Sequence, residues 1–152
     1  MIVLELSDEA ATARLAERVA ALAQPGDVIA LRGELGVGKT SFARAFIRAR
    51  GGDEAVPSPT FTLVQVYELP GGAVWHIDCY RLRSAEEAWE LDIEDAFSSG
   101  IALVEWAELL GPLLPPRRLE IALHPGANPG ARRAALDAPG EWAARLAGAV
   151  AS

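Results

Sequence analysis

Residues Gly33-Glu34-Leu35-Gly36-Val37-Gly38-Lys39-Thr40 complete the pattern G-x-x-x-x-G-K-[ST], and few architectures accept that pattern. It needs a strand before it, a helix after it and phosphate between the two. Both flanks fit. Asp27 to Arg32 is a short apolar run that predicts a buried strand. Thr40 to Arg50 has helical spacing, with Phe42, Phe46 and Ile47 on one face, Arg44 and Arg48 turned away, and Gly51-Gly52 as a stop. The glycines let successive backbone N–H groups point inward at an anion, and the helix N-terminus adds its positive end. Lys39 is the only lysine among fourteen Lys and Arg residues. A compact ammonium fits between phosphates where a planar guanidinium does not. Thr40 supplies a hydroxyl for Mg²⁺.

The length of 152 residues, with 51% hydrophobic content, predicts one globular domain with a real core. The formal net charge of −7 argues against a chain that grips nucleic acid through its own basic surface. Cys79 is the only cysteine, so no intrachain disulfide forms. No leader pattern or membrane-length apolar run is evident, which makes the cytoplasm the default expectation. There is no internal repeat and no zinc-type Cys/His set.

Taken in order, Ile2 to Leu6 predicts a strand at a sheet edge. A helix follows to about Ala23, with Ser7 as N-cap, Asp8 and Glu9 in the first turn, Leu15, Val19 and Leu22 inward, and Pro25-Gly26 as its end. It is either a packing helix or one whose start borders a nucleotide base. Beyond the phosphate loop, Pro57 and Pro59 stiffen a connection that carries Thr60. Thr60 is either a γ-phosphate or Mg²⁺ sensor or part of a structural turn. Runs at 62–69 and 73–80 alternate around Pro70-Gly71-Gly72 and predict a hairpin, so the sheet is mixed.

Two apolar strands end in carboxylates. The first ends at Asp78, the pattern of a residue that orients Mg²⁺ or its waters opposite a phosphate loop. His76 lies on the same strand face and reads as a structural histidine rather than a proton handler. Arg81 and Arg83 either neutralise phosphate or pair with acids. Ser84 and Glu87 open a further helix as a capping box, with Ala88, Trp89, Leu91, Ile93 and Phe97 buried. The second carboxylate is Glu105, after the most apolar strand, Gly100 to Val104, which is expected to be central; if it lies beside the phosphate-loop strand, Glu105 faces the γ-phosphate region. From there Glu105 can hold Mg²⁺ or polarise water. Trp106 is either a lid on the site or a core aromatic. Two later strands, 118–124 and 132–136, and a closing helix over 141–150 docked by Trp142 and Leu146 complete the chain. Asp137-Ala138-Pro139-Gly140 matches D-x-x-G formally but reads as a turn.

GELGVGKTSF at 33–42, SPTFTLVQVY at 58–67, HIDCYRL at 76–82, EEAWELDIEDAF at 86–97 and LVEWAE at 103–108 follow one another along the chain. This set resembles the bacterial TsaE family of tRNA threonylcarbamoyladenosine biosynthesis ATPases. The resemblance implies a single α/β P-loop NTPase-like domain, with a mixed central sheet, antiparallel edge strands and flanking helices. It implies slow hydrolysis of ATP with Mg²⁺. The implied partners are the two protein subunits of the threonylcarbamoyl transferase complex, which would hold the tRNA. By the same resemblance Gly33, Glu34, Leu35, Gly36, Val37, Gly38, Lys39, Thr40 and Ser41 bind ATP, with Trp106 and Arg132 beside it. Thr40 and Glu105 hold Mg²⁺, while Asp78, Glu105 and Thr60 carry the catalytic work. One departure is Asp92, where the family commonly has glycine.

Two other classes remain open. A small-molecule kinase shares the loop but needs an acceptor pocket and an Arg-bearing lid, and no segment has a lid's length. A non-catalytic ATP-sensing module would order its loops around nucleotide and expose a partner surface. A GTPase is disfavoured, because guanine selection by N-K-x-D needs a second lysine.

Overall fold

The run Val28-Ile29-Ala30-Leu31 is buried on both faces, as a strand inside a parallel sheet requires. The computed structural model describes residues 2–33, 38–52, 64–79, 93–138 and 140–150. In chain order the elements are β1 (Ile2–Leu6), α1 (Glu9–Leu22), β2 (Val28–Arg32), α2 (Lys39–Ala49), β3 (Val64–Tyr67), β4 (Val74–Asp78), α3 (Ile93–Ser99) and β5 (Ile101–Glu105). A 3₁₀ segment (Ala107–Leu113), β6 (Leu119–Pro125), β7 (Arg132–Asp137) and α4 (Glu141–Val150) follow.

One seven-stranded sheet carries these elements in the order β1-β7-β6-β2-β5-β4-β3. The strands β6, β2, β5 and β4 run parallel. β7 is antiparallel to both β6 and β1, and β3 is antiparallel to β4. The expected hairpin and edge strand are therefore present, and the sheet is mixed α/β as the sequence implies. β5 lies directly against β2 with Leu31 opposite Glu105, so the second strand-end carboxylate stands beside the entrance to the phosphate loop.

Strand periodicity divides the core into two layers. Ile29, Leu31, Ile101 and Leu103 face one side, where Leu15 and Val19 of α1, Phe42 and Phe46 of α2, and Trp142 and Leu146 of α4 cover them. Val28, Ala30, Ala102 and Val104 face the other, against Ala96 of α3 and Leu110 of the 3₁₀ segment. Arg50, at the end of α2, donates to the carbonyls of Ala20 and Ala23 at 2.9 and 3.0 Å and so closes the C-terminus of α1. Among the described residues no helix is long and apolar enough to cross a membrane.

Two expected boundaries move. Asp8, not Ser7, caps α1: its backbone is extended at φ −157° and its carboxylate accepts from Ala11 N at 2.8 Å. Leu6 is still paired in β1, so Ser7 is the link between strand and helix. Asp27 does not join β2. Its carboxylate instead accepts from Gln24 N at 2.6 Å and from Arg145 at 2.7 Å, tying the turn before β2 to α4. The start of the helix expected at Ser84 lies outside the described residues. Asp8→Ala is expected to lower stability by about 1 kcal/mol in urea unfolding, and Ser7→Ala by far less; equal losses would return the cap to Ser7.

Candidate functional site

The site is built where the parallel strands end, the crevice that open α/β sheets offer to ligands. β2 runs out at Arg32 and α2 begins at Lys39. Gly38 is the N-cap of α2 with φ 95°, a left-handed conformation that favours glycine, and among the described residues no side chain caps the helix there. The N–H groups of the first turn of a helix have no intrahelical partner and suit an anion.

Thr40 and Glu105 meet across the end of β2. The Thr40 hydroxyl donates to Glu105 Oε1 at 3.1 Å, with Oε2 at 3.4 Å. Glu105 is 3% exposed and its Oε2 lies 2.6 Å from His76 Nε2. Asp78 is the strand partner of Glu105 in the β4–β5 register, so both carboxylates leave the sheet on one face. The hydroxyl and carboxylate oxygens are hard donors of the kind Mg²⁺ accepts. No cluster of three or more His, Cys, Asp or Glu able to hold a metal occurs among the described residues.

Lys39 is 4% exposed. Its ammonium donates to the carbonyl of Gly33 and sits 3.7 Å from the centroid of the Trp106 ring. Burial pushes the Lys39 pKa below its ordinary value of 10.5, and the opposing pull of Glu105, Glu108 and Asp78 does not restore it. Trp106 is the only non-glycine residue at positive φ among the described residues, at φ 56° and ψ 40°. A tryptophan held there costs on the order of 1 kcal/mol or more. It turns the chain from β5 into the 3₁₀ segment and brings the indole against Lys39. Trp106 is at once packed on the second core layer and a wall of the site. Cys79, whose N–H donates to the Glu105 carbonyl, is buried, with its thiol pushed up to about 12 chiefly by burial, which disfavours the thiolate.

A cleft of 260 Å³ opens next to Gly38 between α1, α2 and the turn before β7. Ser41, Arg44 and Arg132 line it, with Glu9 and Thr12 from the start of α1. Thr12 Oγ1 and Arg44 Nε are buried there without a hydrogen-bond partner among the described residues. The sequence gives one clue to Thr12: it is a polar side chain in the inward stripe Thr12, Leu15, Ala16 and Val19.

The expected residues Gly33, Gly38, Lys39, Thr40, Ser41, Asp78, Glu105, Trp106 and Arg132 are gathered around the end of β2. Arg132 approaches Gly38 closely enough that a Cβ added there would lie 3.8 Å from its Nε. Glu34, Leu35, Gly36, Val37, Thr60, Arg81 and Arg83 lie outside the described residues. Sequence reasoning did not find Thr12, Arg44 or the partnership of His76 with Glu105.

Comparison with known proteins yields one consistent set. The family model described as threonylcarbamoyl adenosine biosynthesis protein TsaE matches residues 6–134. A tRNA threonylcarbamoyladenosine biosynthesis protein TsaE of Rickettsia bellii is 41% identical over 119 residues, 78% of this chain and 83% of that protein. The protein of the same name from Bacillus subtilis is 40% identical over 113 residues, 74% of this chain and 70% of that one. The crystal structure of YdiB from Bacillus subtilis superposes with a TM-score of 0.81 at 30% identity, covering 96% of this chain and 91% of that chain.

Because Lys39 is the only lysine, lysine-selective isotope labelling gives a single side-chain NMR signal. That signal is expected to titrate below 10.5; a midpoint at or above that value would contradict the buried placement.

Proposed function

The chain belongs to the TsaE family and so has a role in tRNA threonylcarbamoyladenosine biosynthesis, and we propose that it fills that role as a Mg²⁺-dependent ATPase. The observation that carries this reading is the meeting of Lys39, Thr40 and Glu105 where β2 and β5 end side by side. In the proposed complex the phosphates lie along Gly33 to Thr40, with Lys39 donating to the β- and γ-phosphate oxygens. Thr40 and Glu105 would hold Mg²⁺, which supplies charge neutralisation to the transferring phosphoryl group. Asp78, beside Glu105, would orient the attacking water, with Thr60 assisting. The indole of Trp106 keeps bulk water from Lys39, and the low dielectric strengthens each charged contact there.

The adenine end of the nucleotide would enter the cleft bordered by Thr12, Arg44 and Arg132. Two buried polar atoms without partners among the described residues support a ligand at that place. Arg132 adds a cation near Gly38 for the ribose or phosphates.

ATP turnover would assemble or reset the complex formed with the two threonylcarbamoyl transferase proteins. The net charge of −7 fits a subunit that leaves tRNA to those partners.

Phosphate release from ATP by purified variants tests the reading. Lys39→Ala is expected to raise the Kd for ATP at least 10-fold. Glu105→Ala is expected to keep ATP binding in EDTA and, with Mg²⁺ present, to lower kcat by roughly 100-fold or more. Tight ATP binding by the first, or wild-type turnover by the second, would contradict the assignment.

A further inference from the structure

We propose that His76 is a positioning residue that fixes the Glu105 carboxylate for the metal, a role that rests on the ATPase reading above. His76 is fully buried in β4 and Glu105 is 3% exposed at the end of β5. Strand pairing sets His76 opposite Leu103 and Asp78 opposite Glu105, so the imidazole reaches Glu105 along one sheet face. Its Nε2 lies 2.6 Å from Oε2 while Thr40 donates to Oε1 at 3.1 Å. A carboxylate torsion is broad when free. Here each oxygen has its own donor, from a strand on one side and from the first turn of α2 on the other.

A histidine that only fills core space has no need to make this contact. Val74 of β4 and Leu103 of β5 flank it, with Gln65 its strand partner in β3, and a leucine would fill that space without a polar group to satisfy. Yet His76 Nδ1 is buried with no hydrogen-bond partner among the described residues. The other ring nitrogen, Nε2, is placed on the buried carboxylate of the neighbouring strand. An ionised Glu105 carboxylate can only accept, and Nε2 would then be its donor. The result is a fixed chain, His76–Glu105–Thr40, in which the group beside the nucleotide is aimed by one that never touches it. Mg²⁺ demands near-ideal octahedral geometry, so freedom in Glu105 translates into weaker metal affinity.

The test is the Mg²⁺ concentration that half-saturates binding of a non-hydrolysable ATP analogue, followed by calorimetry. His76→Leu, His76→Gln, Glu105→Ala and the His76→Leu/Glu105→Ala double variant are compared, with folding checked by thermal melting. His76→Leu is expected to bind the analogue in EDTA as wild type does, but to need roughly 10-fold more Mg²⁺. His76→Gln, whose amide can donate to the same oxygen, is expected to stay within threefold of wild type. The double variant should be no worse than Glu105→Ala, because His76 acts only through Glu105.

A folded His76→Leu with wild-type Mg²⁺ dependence, or additive losses in the double variant, overturns the proposal. If the leucine variant does not fold, the glutamine variant decides alone: a 10-fold loss overturns the role. A wild-type protein that binds the analogue with Mg²⁺ but never releases phosphate from ATP would remove the ATPase reading and leave the Mg²⁺ comparison intact.

Discussion

A carboxylate taken out of water must be met by donors, and the meeting of Glu105 with Thr40 and His76 is the contact on which this site depends. It joins three parts of the molecule. Thr40 opens α2, Glu105 ends β5, and His76 belongs to β4. None of these elements is near the others in sequence, and their common reference is β2, which runs parallel to β5 and delivers the chain to Gly33. The central strands are buried on both faces, so the strand ends form a stiff platform. Side chains held on such a platform keep their geometry better than side chains on loops.

The lone lysine gives the site a second constraint. Lys39 is enclosed between the Gly33 carbonyl and the Trp106 ring. A cation over an indole gains on the order of 1 kcal/mol, comparable with the strain of keeping Trp106 left-handed. The backbone strain after β5 and the desolvation of Lys39 thus arise from one arrangement. Glu105, Glu108 and Asp78 supply the opposing charge without restoring the lysine to its ordinary pKa.

Much of this was legible in the sequence, for physical reasons that differ by element. The strand, loop and helix around Gly33 to Thr40 are dictated by a motif whose every position has a steric or electrostatic role. The β3–β4 hairpin follows from alternation on either side of Pro70-Gly71-Gly72, and the central place of β5 from an apolar run that needs cover on both faces, while its pairing with β2 shows only in the fold. The order of strands beyond β2 was not legible. The alternation of Leu119, Ile121 and Leu123 marks β6 as a strand without naming its neighbour. The bond between His76 and Glu105 was hidden because it exists only once the register of β4 on β5 is set. The cap of α1 moved by one residue because serine and aspartate are both good caps, and only the pairing of Leu6 in β1 decides between them. Thr12 was overlooked because its inward stripe reads as packing.

The role proposed for these residues is ATP hydrolysis in a complex with transferase proteins. The most direct measurement is the time course of phosphate release from Mg²⁺-ATP by the wild-type protein, alone and with the two threonylcarbamoyl transferase proteins and tRNA. Slow release alone that rises when the partners are added and stops when EDTA removes Mg²⁺ is expected. Nucleotide binding with no phosphate release under any of these conditions would contradict it and leave a non-catalytic ATP-sensing module.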